Sequence, residues 1–158
     1  MGLITERLDR NVASNLSSLL PAKQVKHFAA IIEPERAGEL MRMIDGYQGT
    51  LITMAALKIM PYVFVRSLEL RQAKWCDINL EEGMWKFTLT KTSTEHAVPL
   101  SKQAISILSN LYPYTKRHAY VFYSEASSSK FLSENTLASA LRKLGIPKEE
   151  MSVHGFRA

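Results

Sequence analysis

Two arginines, a lysine, a histidine and a glutamate are placed where they could act on an anion. Arg66 and Glu69 stand three apart in "VRSLELRQAKW", and His154 and Arg157 stand three apart in "SVHGFRA". Lys91 lies between them in "FTLTKTSTEHAVPL". Residues three apart on a helix share a face. A guanidinium is planar, permanently charged and offers parallel donors, which suits a carboxylate or a phosphate. An imidazole beside it could help grip a phosphate and could move a proton near neutral pH. Arg66 follows a strongly apolar run, so it leaves from inside the core, where a cation needs a partner or an anionic ligand. Each cluster alone has a plainer explanation. Arg66–Glu69 would be a surface ion pair worth under ~1 kcal/mol, Lys91 a solvated hairpin lysine, and His154–Arg157 an incidental pair.

Other chemistries lack their residues. His27, His96, His118 and His154 fall into no HxH, HExxH or CxxC spacing, so neither a metal nor another cofactor is expected. There is no glycine-rich phosphate loop and no G-x-S-x-G, which argues against an NTPase or an α/β-hydrolase. Cys76 is the lone cysteine, so no internal disulfide can form, as suits a reducing compartment. With 20 Lys+Arg against 15 Asp+Glu, the net charge of +5 permits a nucleic-acid partner without demonstrating one. The first residues, "MGLITERLDR", have no apolar stretch of the signal-peptide kind. The longest apolar run, 51–65, is broken by Lys58 and Pro61 and is too short to span a bilayer. The expectation is a soluble cytoplasmic protein with no membrane partner.

These residues must be positioned by about one domain's worth of chain, 158 residues that are 46% apolar. "RLDRNVASNLSSLL" could form a short helix, and "PAKQVK" reads as a basic linker. Pro34 starts a helix with Glu33 and Glu35 at its positive end and Leu40, Met41 and Ile44 at helical spacing. Residues 50–60 read as a more buried helix, Pro61 as a bend, and 66–72 as another short helix. The period then shortens. Strands are predicted at about 74–79, 84–90 and 95–99, with turns at Glu81-Glu82-Gly83 and at 92–95. Ser101 caps a helix with Ala104, Ile107, Leu108 and Leu111 on one face. "SSSK" reads as a loop. Ser133 and Gly145 bracket a further helix, and "SVHGFRA" begins one more. The predicted class is α+β, mostly α: a helical domain with a small three-stranded antiparallel sheet.

In this order, "VRSLELRQAKWCDINLEEGMWKFTLTKTSTEHAVPLSKQA" and "VHGFRA" resemble the catalytic domain of the phage-type integrases, the tyrosine recombinases, and most of all those of prophages and pathogenicity islands. The resemblance covers roughly residues 27–158. "HFAAIIEPE" resembles the opening of that domain. "FVRSLELRQAKW" resembles its first arginine box, with Ser67-Leu68 where Pro-Gly is usual. The hairpin lysine of the family falls on Lys91, five residues before "HAVPLS", and "HGFRA" matches the His-x-x-Arg box.

The resemblance implies metal-free attack of a tyrosine on a DNA phosphodiester, giving a 3′-phosphotyrosine and a free 5′-hydroxyl. Arg66 and Arg157 would clamp the non-bridging oxygens, Lys91 would protonate the 5′-oxygen, His154 would assist proton transfer, and Glu69 would orient the first arginine box. Tyr47, Tyr62, Tyr112, Tyr114, Tyr120 and Tyr123 all precede "HGFRA", whereas the family's nucleophile follows it. The expectation is therefore an incomplete catalytic domain over 27–158, preceded over 1–26 by the last helix and linker of a core-binding domain, and inactive alone. Its implied partners are double-stranded DNA at attachment sites, in the nucleoid, and a second copy or a full-length integrase. Two alternatives stay open: a non-catalytic DNA-binding module, and an inert prophage remnant.

Overall fold

A computed structural model describes residues 28–88 and 94–157. The proposed helix and linker of residues 1–26 lie outside the described residues. Helix α1 spans Pro34–Asp45, and the proline takes the first turn, where no backbone donor is needed. It buries Leu40 and Ile44, while Met41 is only partly covered. Helix α2 spans Leu51–Val63, and the Thr50 hydroxyl caps it by accepting from the Thr53 N–H. Eight of its residues are buried, on most sides of the helix, which makes it the central rod of the core.

Pro61 does not end α2; the helix runs through it to Val63. Burial of Ile59, Met60 and Val63 outweighs the one backbone bond that the proline removes in the last turn. Phe64 then stops the helix in the left-handed region, at φ 49°, with its ring 63% exposed. Val65 returns to the core and Arg66 starts helix α3, Ser67–Arg71.

Three strands follow: β1 (Ile78–Asn79), β2 (Met84–Thr88) and β3 (Glu95–Pro99), antiparallel in the order β1-β2-β3. The predicted first strand is shorter than expected, because Trp75–Asp77 forms a 3-10 turn. Its turn into β2 is closed by the Asn79 side chain, which accepts from the N–H groups of Glu81 and Glu82, and by Gly83 at φ 62°. Trp85 pairs with both Ile78 and Val98, and Trp85 and Val98 are the residues of the sheet sunk in the core.

Ser101 caps helix α4 (Lys102–Thr115), which lies along α2 and buries Ala104, Leu108 and Leu111. The "SSSK" stretch is not a loop but part of a two-stranded hairpin, β4 (Tyr123–Ser124) and β5 (Ser127–Phe131). The serines carry no hydrophobic alternation. Pairing is set at its base instead, where the Leu132 N–H donates to the Phe122 carbonyl and both residues are buried. Helix α5 (Glu134–Lys143) begins with the Ser133 hydroxyl accepting from the Asn135 N–H, and Gly145 at φ 80° follows its end.

"SVHGFRA" forms a 3-10 turn, Val153–Arg157, rather than the start of an α-helix. Ser152 organises it. Its hydroxyl accepts from the Gly155 N–H at 3.1 Å and donates to the Ala29 carbonyl at 3.1 Å, and its own N–H donates to that carbonyl at 2.9 Å. The segment around Ala29 and Ala30 thus crosses directly over the turn. A Cβ on Gly155 would run into the Ala29 carbonyl oxygen and lie 2.8 Å from Met151 Sδ.

Gly155→Ala is expected to lower stability by about 1–3 kcal/mol, because backbone on one side and a packed methionine on the other must move; urea titration measures it, and an unchanged midpoint would refute the close crossing. Phe64→Gly should act in the opposite sense. Relief of the left-handed backbone exceeds the extra entropy of glycine in the unfolded chain, for a net gain of about 0.5 kcal/mol, read as a higher thermal midpoint.

Candidate active site

Arg66 sits where α2's exit meets α3. Val65 and Ser67 on either side are buried, so the backbone is fixed while the side chain, 55% exposed, reaches outward. Glu69 is much less exposed and holds it twice. One carboxylate oxygen accepts from the Arg66 backbone N–H at 2.7 Å, and the other takes Nη1 at 2.7 Å. The first bond is half of a capping box and explains how a five-residue helix starts without a Ser or Asp cap. Arg66 Nε and Nη2 make no hydrogen bond among the described residues and remain available to an anion. Glu69 therefore holds both the backbone and the side chain of Arg66.

The last residue of α3 is the one that the spacing of residues did not mark. Arg71 is buried, its side chain only 8% exposed. Nε donates to the Ser67 hydroxyl at 3.3 Å, Nη1 to the Leu132 carbonyl at 3.2 Å, and Nη2 to Glu134 Oε2 at 3.2 Å. The guanidinium also lies 5.6 Å from the centre of the Phe131 ring. Burial pulls its pKa down and the Glu134 carboxylate pulls it back up.

Glu134, the first residue of α5, has a second partner: its Oε1 lies 3.2 Å from His154 Nε2. His154 is partly covered, with its ring 4.5 Å from that of Phe28. Three residues on, Arg157 is exposed and makes no hydrogen bond or ion pair among the described residues. In a 3-10 turn residues three apart are eclipsed, so His154 and Arg157 lie on one side, as expected. The structure thus ties the turn of His154 and Arg157 to the helix that Arg66 begins, through Glu134 and Arg71. Lys91 lies outside the described residues.

Beside α3 an open cleft of about 390 Å³ is lined by Glu69, Gln72, Lys74, Asp77, Trp85, Thr88 and Tyr120. The Trp85 indole N–H is buried without a partner among the described residues. A larger pocket of about 780 Å³, lined by residues such as Trp75, Glu82, Tyr112 and Lys116, includes none of the candidate residues. Among the described residues no three His, Cys, Asp or Glu side chains are grouped to hold a metal ion, and no helix is long and apolar enough to cross a membrane.

The same backbone occurs in solved recombinases. XerA recombinase superimposes with a TM-score of 0.66 at 21% identity, over 98% of this chain and 55% of that one. The Tn1549 transposon integrase, solved in complex with transposon right end DNA, gives a TM-score of 0.71 at 11% identity, over 98% of this chain and 58% of that one. These likenesses establish the fold of a tyrosine recombinase catalytic domain. In sequence, the IntB protein of Escherichia coli is 34% identical over 165 residues, covering 95% of this chain and 41% of that protein. The integrase of Enterobacteria phage P4 is 32% identical over 165 residues, covering 95% of this chain and 37% of that protein. The chain therefore spans about two-fifths of the length of these relatives. The Phage integrase family model matches residues 30–158, and with the fold in agreement the chain belongs to the phage integrase family.

Proposed function

We propose that this chain supplies the phosphate-gripping part of a site-specific tyrosine recombinase that cuts and rejoins double-stranded DNA. One observation carries the reading: the exposed Arg66 guanidinium and the His154–Arg157 turn are bound into one framework by Glu134 and Arg71, with cationic donors left unpaired among the described residues. A phosphodiester under attack gathers negative charge on its non-bridging oxygens. Without a metal, fixed guanidiniums are the side chains best able to stabilise it. Arg66 and Arg157 take that role, and Glu69 holds Arg66 in place. Lys91 delivers a proton to the departing 5′-oxygen, and His154 moves the proton of the attacking hydroxyl or of the phosphate. The complete reaction passes through a 3′-phosphotyrosine. The phosphate grip alone makes the chain a DNA-binding unit, which acts at the nucleoid on attachment sites and joins a second copy or a longer integrase to complete the chemistry. The exposed apolar side chains of Phe28, Ile32 and Leu68 favour such association.

Binding to a labelled duplex, followed by fluorescence anisotropy over a series of salt concentrations, tests the grip. The expected affinity falls steeply with salt, and Arg66→Ala and Arg157→Ala each weaken binding and flatten the log–log slope by about one unit. No binding at low salt, or slopes unmoved by both substitutions, would sink the proposal. Since no tyrosine follows Arg157 in the 158 residues, the chain by itself should leave a nicked suicide duplex free of covalently attached protein. A protein–DNA adduct that survives a denaturing gel would place the nucleophile among the six tyrosines that precede it.

A further inference from the structure

We propose that Glu134 is a positioning residue of this site: its carboxylate, anchored by the buried Arg71, sets the orientation and tautomer of the His154 imidazole. The functional side of the inference rests on the phosphate-gripping reading above; its geometric side does not.

A glutamate that is half exposed is usually a loose surface group, and an ion pair made by one is worth little. Glu134 differs in its neighbour. Arg71 is buried, and each of its three nitrogens donates to a separate oxygen: the Ser67 hydroxyl, the Leu132 carbonyl and Glu134 Oε2. Leu132 and Glu134 bracket the start of α5, so one guanidinium grips both the backbone and the side chain there. Its planar fork leaves the carboxylate little freedom to turn. The other oxygen, Oε1, is then held 3.2 Å from His154 Nε2.

An ionised carboxylate can only accept, so its approach to 3.2 Å favours the tautomer with the hydrogen on Nε2. In the neutral ring the acceptor is then Nδ1. The Phe28 ring, 4.5 Å away and tilted by 32°, covers one face of the imidazole and limits its rotation. Nδ1 is consequently the nitrogen left to accept a proton from a reacting group, with Arg157 one turn along. Glu134 is not needed to begin α5, because Ser133 supplies the cap through the Asn135 N–H. Its substitution therefore removes the tie to His154 and one of Arg71's three partners, while the Ser133 cap keeps the helix start in place.

The test uses the 158-residue chain labelled with 15N. His154 Nε2–H should give a resonance protected from exchange with water, identified by its loss in His154→Ala. In Glu134→Ala the backbone spectrum should stay folded while exchange of that proton speeds up by about tenfold or more. Glu134→Gln should be intermediate, because a neutral amide can accept from His154 only by turning its NH2 toward Arg71. This isosteric variant also serves if the alanine variant does not fold. An Nε2–H unprotected in the wild type, or equally protected in a folded Glu134→Ala or Glu134→Gln chain, overturns the inference. DNA binding measured on the same samples separates the two ideas. Loss of DNA binding by the wild type with the expected imidazole behaviour refutes the functional reading alone. DNA binding with an indifferent imidazole refutes the positioning role alone.

Discussion

A guanidinium taken out of water has to be met on every side, and in this fold Arg71 imposes that requirement. Leaving such a group buried and unmatched costs about 3–5 kcal/mol. The chain meets it with oxygens from two elements that are distant in sequence: Ser67 on α3 itself, and Leu132 and Glu134 at the head of α5. The short helix that carries Arg66 is thereby docked by its far end. A helix of five residues has almost no stability of its own. It persists because Glu69 closes its beginning and Arg71 fastens its end. The reach of Arg66 toward solvent is a result of constraints applied elsewhere on the same helix.

The apolar core supplies the other half of the framework. Helix α2 is buried on most sides, with α1, α4 and α5 packed around it and the Val153–Arg157 turn against it. Such a helix cannot rotate to present a different face without exposing Ala56, Leu57 or Ile59. Its rigidity is passed through Phe64 and Val65 to Arg66. The antiparallel sheet is attached to this rod by Trp85 and Val98, so β2 and β3 have a defined base. Polar reach at the surface and immobility in the core are two aspects of one arrangement.

Local chemistry explains why some of this was legible in the chain and some was not. Pro34, Ser101, Ser133 and Gly145 act within a few residues of themselves, and each marks a helix end as expected. The hydrophobic period revealed the three-stranded sheet for the same reason. Pro61 was misleading because its local penalty is overridden by burial of its neighbours, which only the packed core reveals. The serine hairpin was hidden because its register is set by Phe122 and Leu132 rather than by its own residues. The His-x-x-Arg and first arginine boxes were visible as motifs. The carboxylate that joins them was not: Glu134 lies 63 residues from Arg71, and nothing in "FLSENTL" signals a charged partner so far away.

The bonds between Ser152 and Ala29 close a loop of 123 residues, which brings the start and the finish of the described chain together. A ribosome releases the chain from its beginning, and contacts of such long range form late because the whole intervening loop must be ordered first. Helices α1 to α4 and the sheet can collapse around one another before the "HGFR" turn has been synthesised. The Val153–Arg157 turn is thus assembled onto a core that already exists, and a nascent chain halted before Ser152 holds Arg66 without Arg157. Vectorial synthesis in this way leaves the side of the molecule that carries His154 and Arg157 unfinished until the core beneath it has taken shape.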